Sequence, residues 1–221
     1  MIKFCQVYIQ YVNEFYSLYD FSCVIKNHTL FVGDFFDGTK AIMRILSGID
    51  KNYKGEIFID DINLKNIKDK DFLVAYLPEN PVLFENKNIF KNLYYPLKIR
   101  KINKNIAKNL IYSEFLELKK KNLSFLDKYL NNEIKDILNI KTKKLNLSEQ
   151  KIIALLRAQI REPKYILLEN FFEDLDERYF NLAFKILNKI KNKSIVIACE
   201  KDETKLELFK DFNIIKLSHS D

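Results

Sequence analysis

Apolar positions along the chain change period more than once, and the changes divide it into segments. Residues 3–9 and 16–26 are rich in β-branched and aromatic residues and predict two strands, the second ended by the turn residues Lys26-Asn27-His28. Leu30 to Val32 predict a third. A loop bracketed by Gly33 and Gly38 follows, and then a helix over about 39–47 that presents Ile42, Ile45 and Leu46 at core spacing. GEIFID at 55–60 and FLVAYL at 72–77 predict further strands, the latter apolar enough for a position buried on both faces.

Glu79-Asn80-Pro81 ends that pattern. From 86 to about 160 the period is helical, in NIFKNLYYPLKIR, NIAKNLIYSEFLELKK, LSFLDKYLNNEIKDIL and SEQKIIALLRAQI, with Pro96 punctuating the first and Lys-Asn clusters separating the others. After Pro163 strands return at Tyr165 to Leu168, Ile195 to Cys199 and Ile214 to Leu217, with helices between them over about 176–191 and from about 202. Strands alternating with helices predict an α/β fold with a mostly parallel sheet, interrupted by a helical insertion. The expected organisation is a single domain over 1–221, with its core at about 1–85 and 161–221 and the helical subdomain at about 86–160.

Composition narrows the function classes. The chain is long enough to bury a sizeable core. Only five of its 37 basic residues are arginine, so the formal charge of +7 is almost wholly lysine. Lysine beside so many Asn and Ile reads as compositional bias, and no basic cluster is interleaved with the arginines and exposed aromatics of a nucleic-acid surface, so no nucleic-acid partner is expected. Cys5, Cys23 and Cys199 are odd in number, widely spaced and without metal-ligand pattern, which predicts reduced, buried thiols and no metal. The N-terminus carries polar residues throughout and no later run approaches 18 apolar residues, so membrane attachment is expected only through a partner. All four glycines lie at or before Gly55 and the only histidines are His28 and His219. Chemistry that needs a glycine-rich turn in the second half, or a histidine between those positions, is excluded.

The strand, glycine-bracketed loop and helix start at 29–49 have the layout of a P-loop, whose backbone N–H groups and positive helix end cradle phosphate oxygens. The side chains do not match that layout. A working P-loop follows its second glycine with Lys and then Ser or Thr, whereas here Thr39 and Lys40 follow Gly38. Asp34 and Asp37 add repulsion: a carboxylate about 4 Å from a phosphate oxygen costs on the order of 4 kcal/mol at an effective dielectric near 20.

The order of segments resembles the nucleotide-binding subunit of an ABC transporter over essentially the whole chain. The matches are RILSGI (44–49), GEIFIDDINL (55–64), NPVLFENKNIFKNLYYPLKIRK (80–101), ALLRAQIREPKYILLEN (154–170) and EDLD (173–176). The resemblance implies a P-loop NTPase-like core with an N-terminal antiparallel β portion and an inserted helical subdomain. It also implies positions for ATP and magnesium, and nearly all have changed. The adenine-stacking aromatic falls at about Tyr11, and the glutamine that joins the metal site to the permease contact becomes Glu79. The signature segment falls at Leu145 to Glu149 or at Leu147-Ser148-Glu149-Gln150; neither register supplies a glycine, and both put Glu149 near the place meant for phosphate. The magnesium-binding carboxylate becomes Glu169, the general base becomes Asn170, whose amide accepts no proton at neutral pH, and the switch histidine becomes Glu200. Lys40 is expected to stand near the magnesium position and neutralise Glu169. The implied subunit is non-hydrolytic, with no cofactor expected and any hold on ATP and magnesium weakened.

The resemblance also implies partners. Val82, Leu83, Phe84, Phe90, Tyr94 and Tyr95 fall in the neighbourhood that receives a permease's cytoplasmic coupling helix, and Ile89 and Leu93 are expected in the subdomain's own core. Asp176 falls in the segment that crosses to a second ATP-binding-cassette subunit. A slow ATPase and a stand-alone scaffold are the alternatives.

Overall fold

The computed structural model describes residues 1–10, 17–33, 38–67, 73–120, 133–201 and 206–217. In chain order its elements are β1 (Ile2–Gln10), β2 (Ser17–Ile25), β3 (Thr29–Val32), α1 (Thr39–Ser47), β4 (Lys54–Ile59), β5 (Ile62–Asn63), β6 (Val74–Leu77), α2 (Ile89–Ile99), α3 (Lys104–Lys120), α4 (Ile134–Asn139), α5 (Leu147–Arg161), β7 (Tyr165–Glu169), α6 (Glu177–Lys191), β8 (Ile195–Glu200) and β9 (Asn213–Lys216). Two compact units result, one of Met1–Glu79, Pro163–Phe171 and Ser194–Asp221, the other of Asn80–Glu162 and Phe172–Lys193.

The first unit carries two sheets, an antiparallel one in the order β2-β1-β4-β5 and a parallel one in the order β6-β7-β8-β3-β9. On β1, Ile2 and Phe4 are buried and then Val7 and Ile9, a change of phase that strict alternation forbids. A bulge accounts for it: Gln6 has φ 46°, and the pairing with both neighbours slips there. Gly55 on β4 fits the same bulge, with φ 84° and a missing Cβ that would lie 2.1 Å from the Gln6 carbonyl oxygen.

Every residue of β3 and β7 is buried, which is why these strands read as unbroken apolar runs. Parallel pairing sets Val32 beside Glu200, Glu169 beside Cys199 and Leu77 beside Leu168, so the C-terminal ends of four strands share one edge. Helix α1 lies against β6, β7 and β8 through Ala41, Ile42, Ile45 and Leu46, and Gly48 ends it by donating to the Arg44 and Ile45 carbonyls.

The second unit is helical. Helix α2 meets α3, α4 and α5, and α5 meets α6. Ile89, Leu93 and Leu97 of α2 and Ala107, Ile111 and Phe115 of α3 are fully or nearly fully buried. Pro96 does not punctuate this region. It lies inside α2, where its missing N–H forgoes the one bond to the Asn92 carbonyl, and the Arg100 N–H closes the last turn on the Pro96 carbonyl at 3.2 Å.

The helix expected from about 202 also differs: residues 202–205 lie outside the described residues, and Leu206–Phe209 form a short 3₁₀ helix. Of the three cysteines, all free, Cys199 alone is buried, and Cys5 and Cys23 are half-buried. Among the described residues no helix is long and apolar enough to cross a membrane.

Candidate functional site

The shared strand edge of the first unit gathers Gly33, Glu79, Glu169, Asn170 and Glu200, which are far apart in sequence. The Gly33 N–H donates to the Glu200 carbonyl at 3.2 Å, joining β3 to β8 just before the glycine-bracketed loop. Asp37 lies outside the described residues, as do Asp34 and Tyr11. Gly38 has φ 82° and caps α1, on whose first turn Thr39 is buried and Lys40 half-exposed.

Glu169 closes β7 and is 3% exposed. Its Oε1 lies 3.7 Å from Lys40 Nζ, and its Oε2 accepts from the Tyr76 hydroxyl on β6. A nearly buried carboxylate is therefore held between a cation and a phenol. Burial and this carboxylate push the Tyr76 pKa up, so the phenol stays a donor across the physiological range. Cys199, on the neighbouring strand, is likewise pushed up by burial first and by Glu169 and Glu200 second.

Asn170 is 8% exposed, at φ 41°. Its backbone N–H donates to the Cys199 carbonyl at 3.0 Å and its Nδ2 to Glu79 Oε2 at 3.1 Å. The other Glu79 oxygen lies 3.6 Å from Lys201 Nζ. Glu79 is thus bonded by an amide and paired with a cation; Lys201 is a partner that its position just past β8 did not advertise. Glu200 is 4% exposed.

In the second unit, Asn146 caps α5 through a reciprocal pair of bonds. The Glu149 N–H donates to Asn146 Oδ1 at 2.8 Å, and the Asn146 N–H donates to Glu149 Oε2 at 2.9 Å. Glu149 is 1% exposed, and its other oxygen accepts from the Tyr179 hydroxyl at 3.3 Å. Its carboxylate is turned into the unit's own packing. Asn-x-x-Glu before an apolar run was the available signal. Ser148 Oγ accepts from the Asp176 N–H at 3.2 Å, which ties the start of α5 to the N-cap of α6, and buried Lys151 donates to the Glu173 carbonyl at 2.5 Å.

The segment before α2 is pinned by its backbone. Buried Asn92 accepts from the Phe84 N–H at 2.8 Å and donates to the Phe84 carbonyl at 3.2 Å, Thr142 Oγ1 donates to the same carbonyl at 3.0 Å, and Arg157 holds the Val82 carbonyl at 2.8 Å. With the backbone held, the side chains face outward. Val82 is 67% exposed, Phe84 46% and Tyr95 49%, the two rings meeting edge to face at 5.0 Å. Leu83, Phe90 and Tyr94 are only half-buried, with Phe90 stacked on Tyr94 at 5.7 Å. Their exposure is shared with the unit's own packing.

Tyr8, Ile9, Leu18, Tyr19, Asn52, Tyr53 and Lys54 line a half-open cavity of about 350 Å³. Periodicity alone did not reveal it, because its walls come from three separate segments.

Comparison with known proteins bears on this geometry. The family model described as ABC transporter matches residues 26–172. The chain is 30% identical over 167 residues to a molybdate/tungstate import ATP-binding protein of Methanocaldococcus jannaschii, covering 76% of this chain and 52% of that one. It is 26% identical over 141 residues to an sn-glycerol-3-phosphate import ATP-binding protein of Yersinia pestis, covering 64% and 36%. The chain thus spans about half or less of the length of these relatives. Among solved structures, a dimeric bacterial ABC transporter cassette superposes with a TM-score of 0.76 over 98% of this chain and 94% of that one, at 19% identity. A dimeric post-hydrolysis cassette bound to ADP and Pi gives 0.74 at 18% identity. At such identities these structures establish the fold, that of an ATP-binding cassette.

Proposed function

This chain belongs to the ABC transporter family, and from that premise we propose that it is a degenerate cassette subunit of a membrane import complex, docked on a permease and without ATP turnover. The observation that carries the reading is the Lys40–Glu169–Tyr76 cluster. A magnesium ion needs oxygen donors, and a cation already faces Glu169, the buried carboxylate at the end of β7. The neighbouring position is an amide that donates to Glu79 and cannot take a proton from water. The donor set argues against Mg·ATP as a resident cofactor, and no catalytic step is assigned to these residues.

The import assignment rests on the names of the curated relatives. The permease coupling helix is the proposed occupant of the Val82, Phe84 and Tyr95 surface, an apolar and aromatic face on a pinned backbone. A second cassette subunit, identical or different, is the proposed partner at Ser148 and Asp176. The protein would then sit at the cytoplasmic side of a membrane through its permease.

The test is phosphate release by the purified chain with ATP and magnesium, alone and with a co-expressed permease. Release at the buffer rate, unchanged by Glu169→Gln, is expected. Release above that rate that disappears in Lys40→Met would overturn the reading and restore a slow ATPase. A second reading, nucleotide retained without turnover, is favoured by the tyrosine-lined cavity, whose walls suit a planar aromatic ring. Calorimetric titration with ATP in EDTA separates the two readings.

A further inference from the structure

The lysine excess is local. Between Asn86 and Ser113 there are seven basic residues and no acidic one, so this stretch alone equals the formal +7 of the whole chain, and the remainder is balanced. Compositional bias does not concentrate charge in this way. The structure adds where the charge lies. Lys98, Arg100, Lys101 and Lys104 are exposed at the end of α2, in the turn that follows and at the start of α3. The α3 carboxylates Glu114 and Glu117 sit toward the other end of that helix, where both pair with Lys189. Among the described residues no carboxylate pairs with Lys98, Lys101 or Lys104.

Aliphatic side chains stand exposed among these cations. Ile99 is 51% exposed at the end of α2, and Ile106 and Leu110, one turn apart on α3, are 58% and 46% exposed, while Ala107, Ile111 and Phe115 of the same helix are buried. The helix therefore spends one apolar stripe on its own core and leaves a second outward.

We propose that the α2–α3 corner, through Lys98, Lys101, Lys104, Ile99, Ile106 and Leu110, binds the surface of an anionic lipid bilayer. The occupant follows from chemistry. Lysines on long apolar stems reach phosphate headgroups while neighbouring aliphatic groups enter the acyl boundary. A nucleic acid would call for arginine forks and stacking rings. The single arginine here donates to the Arg161 carbonyl at 2.6 Å. The inference is independent of the permease and of nucleotide chemistry, so its test can fail without touching either.

The experiment floats the purified full chain with vesicles of phosphatidylcholine alone and of phosphatidylcholine with 30% phosphatidylglycerol, at low and at moderate salt. Binding to the anionic vesicles only, weakening as salt rises, is expected. Each lysine near such a surface contributes about 1 kcal/mol, or roughly fivefold, so Lys98→Gln, Lys101→Gln and Lys104→Gln together should lower the partition coefficient about 100-fold. Ile106→Ser with Leu110→Ser should lower it about tenfold while keeping the salt dependence. All five positions are exposed, and an unchanged melting temperature shows that the variants fold. Equal binding to neutral vesicles, undiminished binding by either variant, or transfer of the wild type from vesicles to polyglutamate or a DNA duplex at matched charge would overturn the proposal.

Discussion

Lys40→Met removes an ammonium 3.7 Å from a carboxylate oxygen of Glu169 while keeping most of the apolar stem. Two unit charges at that distance interact by about 4 kcal/mol at an effective dielectric near 20. The Lys40 side chain is 29% exposed and that of Glu169 only 4%, so water screens one partner and not the other. Losing the cation strands a nearly buried carboxylate that keeps only the Tyr76 hydroxyl. Breaking a fully buried pair costs about 3–5 kcal/mol, and the half-exposed lysine brings the expected net loss to about 2 kcal/mol. In a chain of this size that corresponds to a melting temperature lower by roughly 4–8 °C. Glu169→Gln alone should cost less, about 1 kcal/mol, because the freed ammonium can reach solvent. Urea unfolding of the two single variants and the double variant closes a thermodynamic cycle, with an expected coupling of about 1–2 kcal/mol. A coupling below about 0.3 kcal/mol, or a Lys40→Met protein that melts with the wild type, would refute the idea that this cation holds the strand edge together.

Two further outcomes follow from bonds described above. Asn92→Ala leaves the Phe84 N–H without its partner, while the Phe84 carbonyl keeps the Thr142 hydroxyl and the Lys87 N–H, and should cost about 1–3 kcal/mol, with exchange at the Phe84 amide faster by at least about tenfold as the exposed segment loosens. Exchange unchanged at that amide would show that Asn92 does not pin it. Burial pushes the Cys23 thiol from 9.0 up to about 12, which disfavours the thiolate in the folded state. Because the folded value lies above the unfolded one, the associated stability is fully present below pH 9 and is lost as pH climbs from 9 toward 12. Iodoacetamide at pH 8 should accordingly label Cys23 about 100-fold more slowly in the native protein than in urea, and Cys23→Ala should flatten the alkaline limb of the stability curve. Equal labelling rates would contradict this.

Much of the fold was legible because its signals are local. Helix α1 is bounded by two glycines in the left-handed region, and its apolar stripe has the spacing of a core-facing helix, so its limits show in the residues alone. Strands β3 and β7 announce two-sided burial by lacking any polar alternation. Pro96 misled because proline breaks helices on average, whereas here the helix continues through it to Ile99 at the cost of one backbone bond. The partners of Glu149 were hidden for a different reason. The position of Glu149 in the segment placed it near the site meant for phosphate, and its bonding is set by Asn146 three residues earlier and by Tyr179 on another helix.

What the residue string determines by itself is which side chains stand at each position of the strand edge and its neighbouring helix. Thr39 and Lys40 after the second glycine, Asn170 after Glu169, and Glu200 at the end of β8 are identities that no packing can alter. Tertiary structure alone decides which groups meet. Lys40, Tyr76 and Glu169 converge because parallel strands bring their C-terminal ends to one edge and α1 starts beside it. A lysine-rich stretch becomes an exposed corner because the helices on either side bury their other faces. Such proximity arises from long-range register and burial, which period and composition do not encode.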